Sequence, residues 1–172
     1  MAGTGESALV VVLPEAEPVV GVWRRRYDSS AALGVPAHVT VVYPFLDLRL
    51  IGDATRESLR ELFSAHRPFD LRFDRCGHFS EVLYLAPDPP GPFQLLTEAV
   101  VARWPEAPPY GGRFTEIVPH LTVAEGVDDP TLGAAERGVA GGLPLAAHAG
   151  AVTLLVKDGP RWREDDVFPL GR

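Results

Sequence analysis

Two stretches carry the fold and the chemistry together: Val35-Pro36-Ala37-His38-Val39-Thr40-Val41 and Val118-Pro119-His120-Leu121-Thr122-Val123. Each is a short apolar alternation led in by a proline, with a histidine two places before a threonine. Alternation with period two predicts a half-buried strand, so His38 and Thr40 project from one face and Val39 and Val41 from the other. His120 and Thr122 stand in the same relation to Leu121 and Val123. The apolar face packs under helices. The polar face makes sense where it lines a water-filled cleft, and two such strands facing each other bring two imidazoles and two hydroxyls to one space.

The surrounding punctuation gives both halves the order strand–helix–strand–helix–strand. Ser7 to Leu13 reads as a strand, and Pro18 opens a helix with Val19, Val22, Trp23 and Tyr27 at helical spacing. The strand His38 to Tyr43 closes at Pro44. Asp53 is an expected N-cap for a helix carrying Leu59, Leu62 and Phe63. Phe69 to Arg75 alternates as a strand, Gly77 marks a turn, and Glu81 to Ala86 is the hairpin partner. Pro92 then opens a helix with Phe93, Leu96 and Val100 on one face, and Glu106 to Gly112 is an irregular loop. A strand from Pro119 to Ala124 precedes an N-cap and N1 pair, Asp129-Pro130, for a helix with Leu132, Ala135 and Val139 inward. Gly141-Gly142 stops it. Leu143 to Val156 supplies one long or two short strands, and Trp162 to Pro169 a last edge segment. Strands joined by hairpins and mixed with helices indicate an α+β fold with antiparallel sheets.

Composition bounds the rest. A chain of 172 residues with 46% hydrophobic and 23% charged residues suits one domain, or two small lobes sharing a core. A net charge of −7 argues against a broad surface for duplex DNA or RNA, while leaving room for a local phosphate site. The bias to arginine, with Lys157 the one lysine, reflects a G+C-rich coding sequence more simply than a function. No apolar run reaches the roughly 18–20 residues that span a bilayer. Met1-Ala-Gly-Thr-Gly-Glu lacks the basic region of a signal peptide, so a soluble cytoplasmic protein is expected. A single cysteine, Cys76, excludes an intramolecular disulfide. There is no Walker loop, no HExxH and no G-x-S-x-G, so nucleotide-loop, zinc-hydrolase and serine-nucleophile chemistries are set aside.

A triplet this short also arises by chance. With 14 Ser and Thr among 172 residues, about one histidine in twelve has a hydroxyl residue two places on. A third match, His78-Phe79-Ser80, lacks the flanking valine alternation and is read as coincidence at the rim of the hairpin. His66 and His148 have no partner residues nearby and are assigned no role.

The sequence His38-Val39-Thr40-Val41 with Tyr43-Pro44-Phe45, and Pro119-His120-Leu121-Thr122-Val123, resembles the paired motifs of the two-histidine phosphoesterase superfamily. The nearest branch is the bacterial 2′-5′ RNA ligase and cyclic phosphodiesterase family. The likeness extends through Gly77 to Pro87 and Val152 to Leu170. It implies a single domain of two pseudo-twofold lobes, near residues 1–80 and 81–172 with strands free to be exchanged, around a central cleft. It also implies no metal or other cofactor, and an RNA end or small nucleotide as partner; the chain is read as a monomer that engages no membrane. The implied reaction is hydrolysis of a 2′,3′-cyclic phosphate to a 2′-phosphate, or cleavage of a 2′-5′ linkage, with ligation as the reverse of a related transesterification.

Elementary chemistry agrees with that resemblance. Opening a phosphodiester requires a base for water and an acid for the departing oxygen, and imidazole holds either form near neutrality. His38 and His120 are the expected acid/base pair, and Thr40 and Thr122 the expected holders of the phosphate oxygens. Candidate substrate contacts are Tyr43, Phe45 and Tyr110 for stacking, and Arg26 and Arg113 for phosphate. The run Arg24-Arg25-Arg26 otherwise reads as a solvated helix face. The loop Glu106 to Thr115 is the expected substrate loop and the stretch that the resemblance fixes least. Two rivals stand beside this reading: a nucleotide- or RNA-binding module without turnover, and a metal-dependent hydrolase using both histidines.

Overall fold

The structure, a computed structural model, describes residues 5–113 and 117–171. Regular structure runs in the order β1 (Glu6–Val12), α1 (Glu17–Tyr27), α2 (Ser29–Ala32), β2 (His38–Val42), α3 (Asp53–Ser64), β3 (Phe69–Phe79), β4 (Val82–Asp88), α4 (Gly91–Arg103), β5 (Leu121–Glu125), α5 (Asp129–Ala140), β6 (Leu145–Ala149), β7 (Ala151–Lys157) and β8 (Arg163–Pro169). Among the described residues the strands form two four-stranded antiparallel sheets, ordered β2-β1-β7-β8 and β5-β4-β3-β6. The fold is α+β and bilobal, and the two sheets are related as a duplication.

Neither sheet is drawn from one consecutive half of the chain. The first sheet is built from β1 and β2 and from β7 and β8, and the second from everything between them. Residue 80 lies at the tip of the β3–β4 hairpin, inside the second sheet. The two motif strands occupy equivalent places, each on a sheet edge beside a strand of near-continuous burial. Thr40 lies opposite Val10 of β1, and Thr122 opposite Tyr84 of β4.

Burial follows the alternation. Val39 and Val41 of β2 and Leu121 and Val123 of β5 enter one continuous core with Leu9, Val11, Leu83 and Leu85. The helices cross between lobes: α1 packs on β5 of the second sheet and α4 on β2 of the first. Thr97 of α4 donates its hydroxyl hydrogen to the Val41 carbonyl at 2.8 Å, tying that crossing down. Each motif strand is thus backed by a helix from the other half of the fold.

Several local expectations shift. Gly77 lies within β3, not at a turn; it faces Tyr84, whose ring a Cβ at this position would strike. The reversal falls instead at Ser80, where φ is 37°. Helix α1 buries Val20, Gly21 and Arg24 and packs Val19, Trp23 and Tyr27 of the expected stripe against the core, while Val22 points outward at 57% exposure. Asp128, one residue earlier than expected, caps α5 by accepting from the Thr131 N–H at 2.9 Å, and Gly52 precedes α3 in place of Asp53. Gly150 separates the last long apolar stretch into β6 and β7.

Phe45 is corrected from a stacking candidate to a core residue. Its ring is 6% exposed and meets Trp104 edge-on at 5.4 Å, below β2 and away from the polar face. Phe45→Ala is expected to cost about 3–5 kcal/mol of stability, as for other buried aromatic deletions, read as a lower urea midpoint at unchanged slope.

Candidate active site

The two histidines are held in the same way. His38 Nδ1 is 2.8 Å from the Pro36 carbonyl oxygen, and His120 Nδ1 is 2.7 Å from the Val118 carbonyl oxygen. A carbonyl only accepts, so each Nδ1 carries the hydrogen, and Nε2 is left as the acceptor of the neutral ring. The repeat is structural: in each case the carbonyl lies two residues back, just before the chain straightens into its motif strand. Strands β2 and β5 approach each other across the cleft. The imidazoles are near enough that a proton on His120 lowers the proton affinity of His38.

Both rings favour the neutral form. Burial pushes His38 down to about 4; Arg24 and His120 add to the fall, while the Pro36 carbonyl and Asp28 oppose it. Burial lowers His120 too, opposed by its bond to the Val118 carbonyl. The environments differ. His120 is bracketed edge-on by Phe79 at 5.1 Å and Tyr84 at 5.5 Å, and those two rings stack on each other at 4.4 Å. His38 stands in front of a buried ion pair.

That ion pair comes from the arginine run. Arg24 is 2% exposed; its Nε and Nη2 donate to Asp28 Oδ2 at 3.2 and 3.1 Å, and Nη1 donates to the Val35 carbonyl at 3.1 Å. Asp28 Oδ1 accepts from the Ser30 amide at 3.0 Å and hydroxyl at 2.8 Å, so the carboxylate also caps α2. At the start of α1, Glu17 Oε1 accepts the Ala37 N–H at 2.7 Å. Helix α1 therefore fixes the backbone on both sides of Pro36, whose carbonyl orients His38.

Comparison with known proteins places this arrangement. The model of the 2′-5′ RNA ligase superfamily matches residues 12–161, most of the chain. The chain belongs to that superfamily. A protein of Bacillus pumilus (strain SAFR-032) named "Putative phosphoesterase" is 30% identical over 125 residues, 70% of this chain and 70% of that protein. A Bacillus cereus protein of the same name is 30% identical over 114 residues, 62% of this chain and 60% of that one. Among solved structures, Escherichia coli LigT in complex with 3′-AMP aligns over 99% of this chain and 100% of its own, at 16% identity and a TM-score of 0.60. The Thermus thermophilus protein TT0787 aligns over 97% and 99%, at 18% identity and the same TM-score of 0.60. These two share the fold.

Within this superfamily member the remaining candidates separate clearly. His38, Thr40 and Tyr43 line one cavity of about 390 Å³ with Trp162 and Glu125. Thr40 also borders a recess of about 630 Å³ that reaches Pro119 and Gln94, so the cleft continues on both sides of it. The Tyr43 hydroxyl donates to Glu6 Oε1 at 2.8 Å, and burial with that bond pushes its pKa up to about 12. Tyr110 donates its N–H to the Tyr43 carbonyl at 2.6 Å, and burial raises its phenol. Arg113 is exposed and its N–H bonds the Tyr110 carbonyl; residues 114 and 115 of the expected substrate loop lie outside the described residues.

Arg26 is exposed, lies 5.7 Å over the Tyr27 ring and borders an outer groove with Ser80 and Glu81, not the cavity that holds His38. The inward arginine is Arg24, two places earlier. His78 meets Glu136 at 2.6 Å and His148 meets Asp70 at 2.7 Å, both at the surface. Burial raises the Cys76 thiol to about 11, which disfavours the thiolate. Among the described residues no cluster of three or more His, Cys, Asp or Glu side chains is set for a metal ion. Sequence reading missed Arg24, Asp28, Phe79, Tyr84 and Trp162; the spacing of four between Arg24 and Asp28, across the end of α1, was the available signal for the first two.

Removing one member of the buried pair strands the other. Asp28→Ala is expected to lower stability by about 3–5 kcal/mol in chemical denaturation, more than Arg25→Ala or Arg26→Ala at the surface. The histidines set a pH dependence of known sign. Between pH 6.5 and about 4 the unfolded chain takes up a proton at His38 that the folded chain refuses. Stability is therefore whole above pH 6.5 and falls on acidification, by at most about 3 kcal/mol from this group. Thermal melts from pH 7.5 to 4.5 should show that fall, with a shallower slope in His38→Gln.

Proposed function

We propose that this chain is a phosphodiesterase acting on 2′,3′-cyclic phosphates or 2′-5′ linkages of RNA ends or small nucleotides, with His38 and His120 as its acid and base. The observation that carries the reading is the matched pair of Nδ1–carbonyl bonds, which leaves Nε2 of each ring as its acceptor on two strands that lie against each other. Binding alone needs no second proton-transfer group. In-line displacement at phosphorus needs one on each side.

In the forward direction a neutral imidazole takes a proton from water at Nε2 as the water oxygen bonds to phosphorus. The other ring, protonated, gives its proton to the ribose oxygen as the P–O bond breaks. When the 3′ oxygen leaves, the product is a 2′-phosphate. One proton has crossed from one imidazole to the other, and exchange with solvent restores the pair. Thr40 and Thr122 are assigned to the non-bridging oxygens, where their hydroxyls donate to the charge that grows in the transition state.

Burial and the nearby guanidinium hold His38 neutral before substrate arrives. A phosphodiester anion between the rings favours the imidazolium form, so the acid is armed by the substrate itself. Both proton transfers are met by side chains, which makes the reading metal-independent. It is supported by the superfamily and by the nucleotide complexes of E. coli LigT with 3′-AMP and NADP+. The same reading treats the chain as one domain of two interleaved lobes, in which ligation is the reverse of a related transesterification.

The test is a panel of 2′,3′-cyclic nucleotides, cyclic-ended RNA and 2′-5′ dinucleotides, assayed in EDTA with wild type, His38→Ala and His120→Ala. Wild type is expected to turn over at least one class, and each variant to lose about 100-fold or more in rate while melting cooperatively. A variant keeping over a tenth of the rate removes that histidine from the mechanism. Nucleotide binding without turnover by wild type replaces the reading with a binding module.

A further inference from the structure

The two motif histidines are bonded alike, but the chain reaches them differently. Aligned on the histidine, the preceding residue is Ala37 before His38 and Pro119 before His120, so the two prolines are out of register by one. The residue between the histidine and the carbonyl that holds it is therefore a proline on the second sheet and an alanine on the first. Pro119 fixes its own φ and has no N–H to satisfy. Ala37 has an N–H, an unlocked φ and no exposed surface, so that lead-in must be fixed from outside.

Every backbone polar group from Val35 to Ala37 has a partner. The Val35 N–H donates to the Ser30 carbonyl at 2.9 Å, and the Ala37 carbonyl accepts the Leu13 N–H at 2.9 Å. The Pro36 carbonyl holds His38. The other two groups are taken by side chains of one helix: Arg24 donates to the Val35 carbonyl at 3.1 Å, and Glu17 accepts the Ala37 N–H at 2.7 Å. Glu17, Arg24 and Asp28 fall at spacings of seven and four, which puts them on one face of α1 and at its C-cap. Arg24 Nη1 lies 3.9 Å from Glu17 Oε1, while Asp28 holds its Nε and Nη2. The three form a single brace on a helix that packs against β5, the strand that follows His120.

The geometry points to Glu17, Arg24 and Asp28 as positioning residues of the reaction, which set His38 against His120 by clamping the peptides on either side of Pro36 to the helix that backs β5. Their effect passes through the Pro36 carbonyl, whose direction decides where Nε2 of His38 points. Arg24 and Asp28 are 2% and 4% exposed, and each is committed to protein partners rather than to a ligand. On the other side of the cleft the ring of Pro119, with Phe79 and Tyr84 against His120, restrains the imidazole without charged groups. Arg24 and Asp28 pull the proton affinity of His38 in opposite directions, so removing them together offsets one against the other and isolates the geometric role. This rests on the phosphodiesterase reading and adds to it the residues that hold one of its two proton-transfer groups in place.

The test uses Glu17→Ala, Glu17→Gln and a double variant, Arg24→Met with Asp28→Leu, each first shown to melt cooperatively. Glutamine keeps an oxygen for the Ala37 N–H, and the double variant replaces the ion pair by apolar groups of similar size, an exchange that buried pairs commonly survive. On adenosine 2′,3′-cyclic phosphate, Glu17→Ala and the double variant are expected to lose about tenfold in kcat with KM within about twofold of wild type, the split of a displaced catalytic group. Glu17→Gln should retain the wild-type kcat. The second readout is the tautomer of each imidazole, from long-range proton–nitrogen correlation spectra at about pH 7.5, where both rings are neutral. Wild type should carry the hydrogen on Nδ1 in both rings. In Glu17→Ala and the double variant His38 should admit the Nε2–H form, while His120 stays unchanged as the internal control. Wild-type kcat or an unchanged His38 tautomer in a folded variant removes that variant's residues from the brace, and in both overturns it. Glu17→Gln as slow as Glu17→Ala removes the Ala37 bond from it. If the double variant does not melt cooperatively, the two Glu17 variants decide alone. Failure of wild type to turn over counts against the phosphodiesterase reading instead, and the tautomers then decide the brace without it.

Discussion

Burial of Val39 and Val41 in one strand, and of Leu121 and Val123 in the other, is the constraint from which the rest follows. Side chains alternate strictly along a strand, so a slip of one residue in either would turn its histidine into the core and its valines into water. The core therefore sets the direction of the imidazoles as firmly as any contact they make themselves. Crossing helices reinforce the register from behind, since α1 backs β5 and α4 backs β2. Stability and site geometry are held by the same packed atoms.

Placing both imidazoles against protein atoms has an electrostatic result. A protein of net charge −7 would ordinarily discourage a phosphate. Here the local balance differs: one guanidinium is locked behind His38 at 2% exposure, and two rings wait for a proton they do not hold unaided. Arg24 is not free to move to a ligand, because Asp28 and the Val35 carbonyl occupy its donors. Its influence is exerted at a fixed distance, through the loop that it ties.

What could be read in the sequence was whatever depends on local period. The motif strands, the helix with Phe93, Leu96 and Val100, and the helix with Leu132, Ala135 and Val139 all follow from spacing of apolar residues, and each of those helix residues is buried. What could not be read depends on partners far along the chain. An arginine in a basic run looks solvated until a carboxylate four residues on and a carbonyl eleven on are brought to it. Phe45 and Tyr43 sit two apart just beyond β2 yet part company, Tyr43 meeting Trp162 and Phe45 meeting Trp104. Gly77 read as a turn because glycine usually marks one; its use here is to admit a tyrosine ring from the neighbouring strand.

The interleaving of the sheets bears on how such a molecule is made. Strand β1 is central in its sheet, with β2 on one flank and β7 on the other, and β7 emerges from the ribosome more than a hundred residues after β2. The middle sheet contains only its own segment and can close during translation, whereas the sheet carrying His38 must wait with one flank open. The candidate cleft is consequently among the last features to mature, and a nascent chain stopped before β7 carries one motif strand in a finished sheet and the other in an unfinished one.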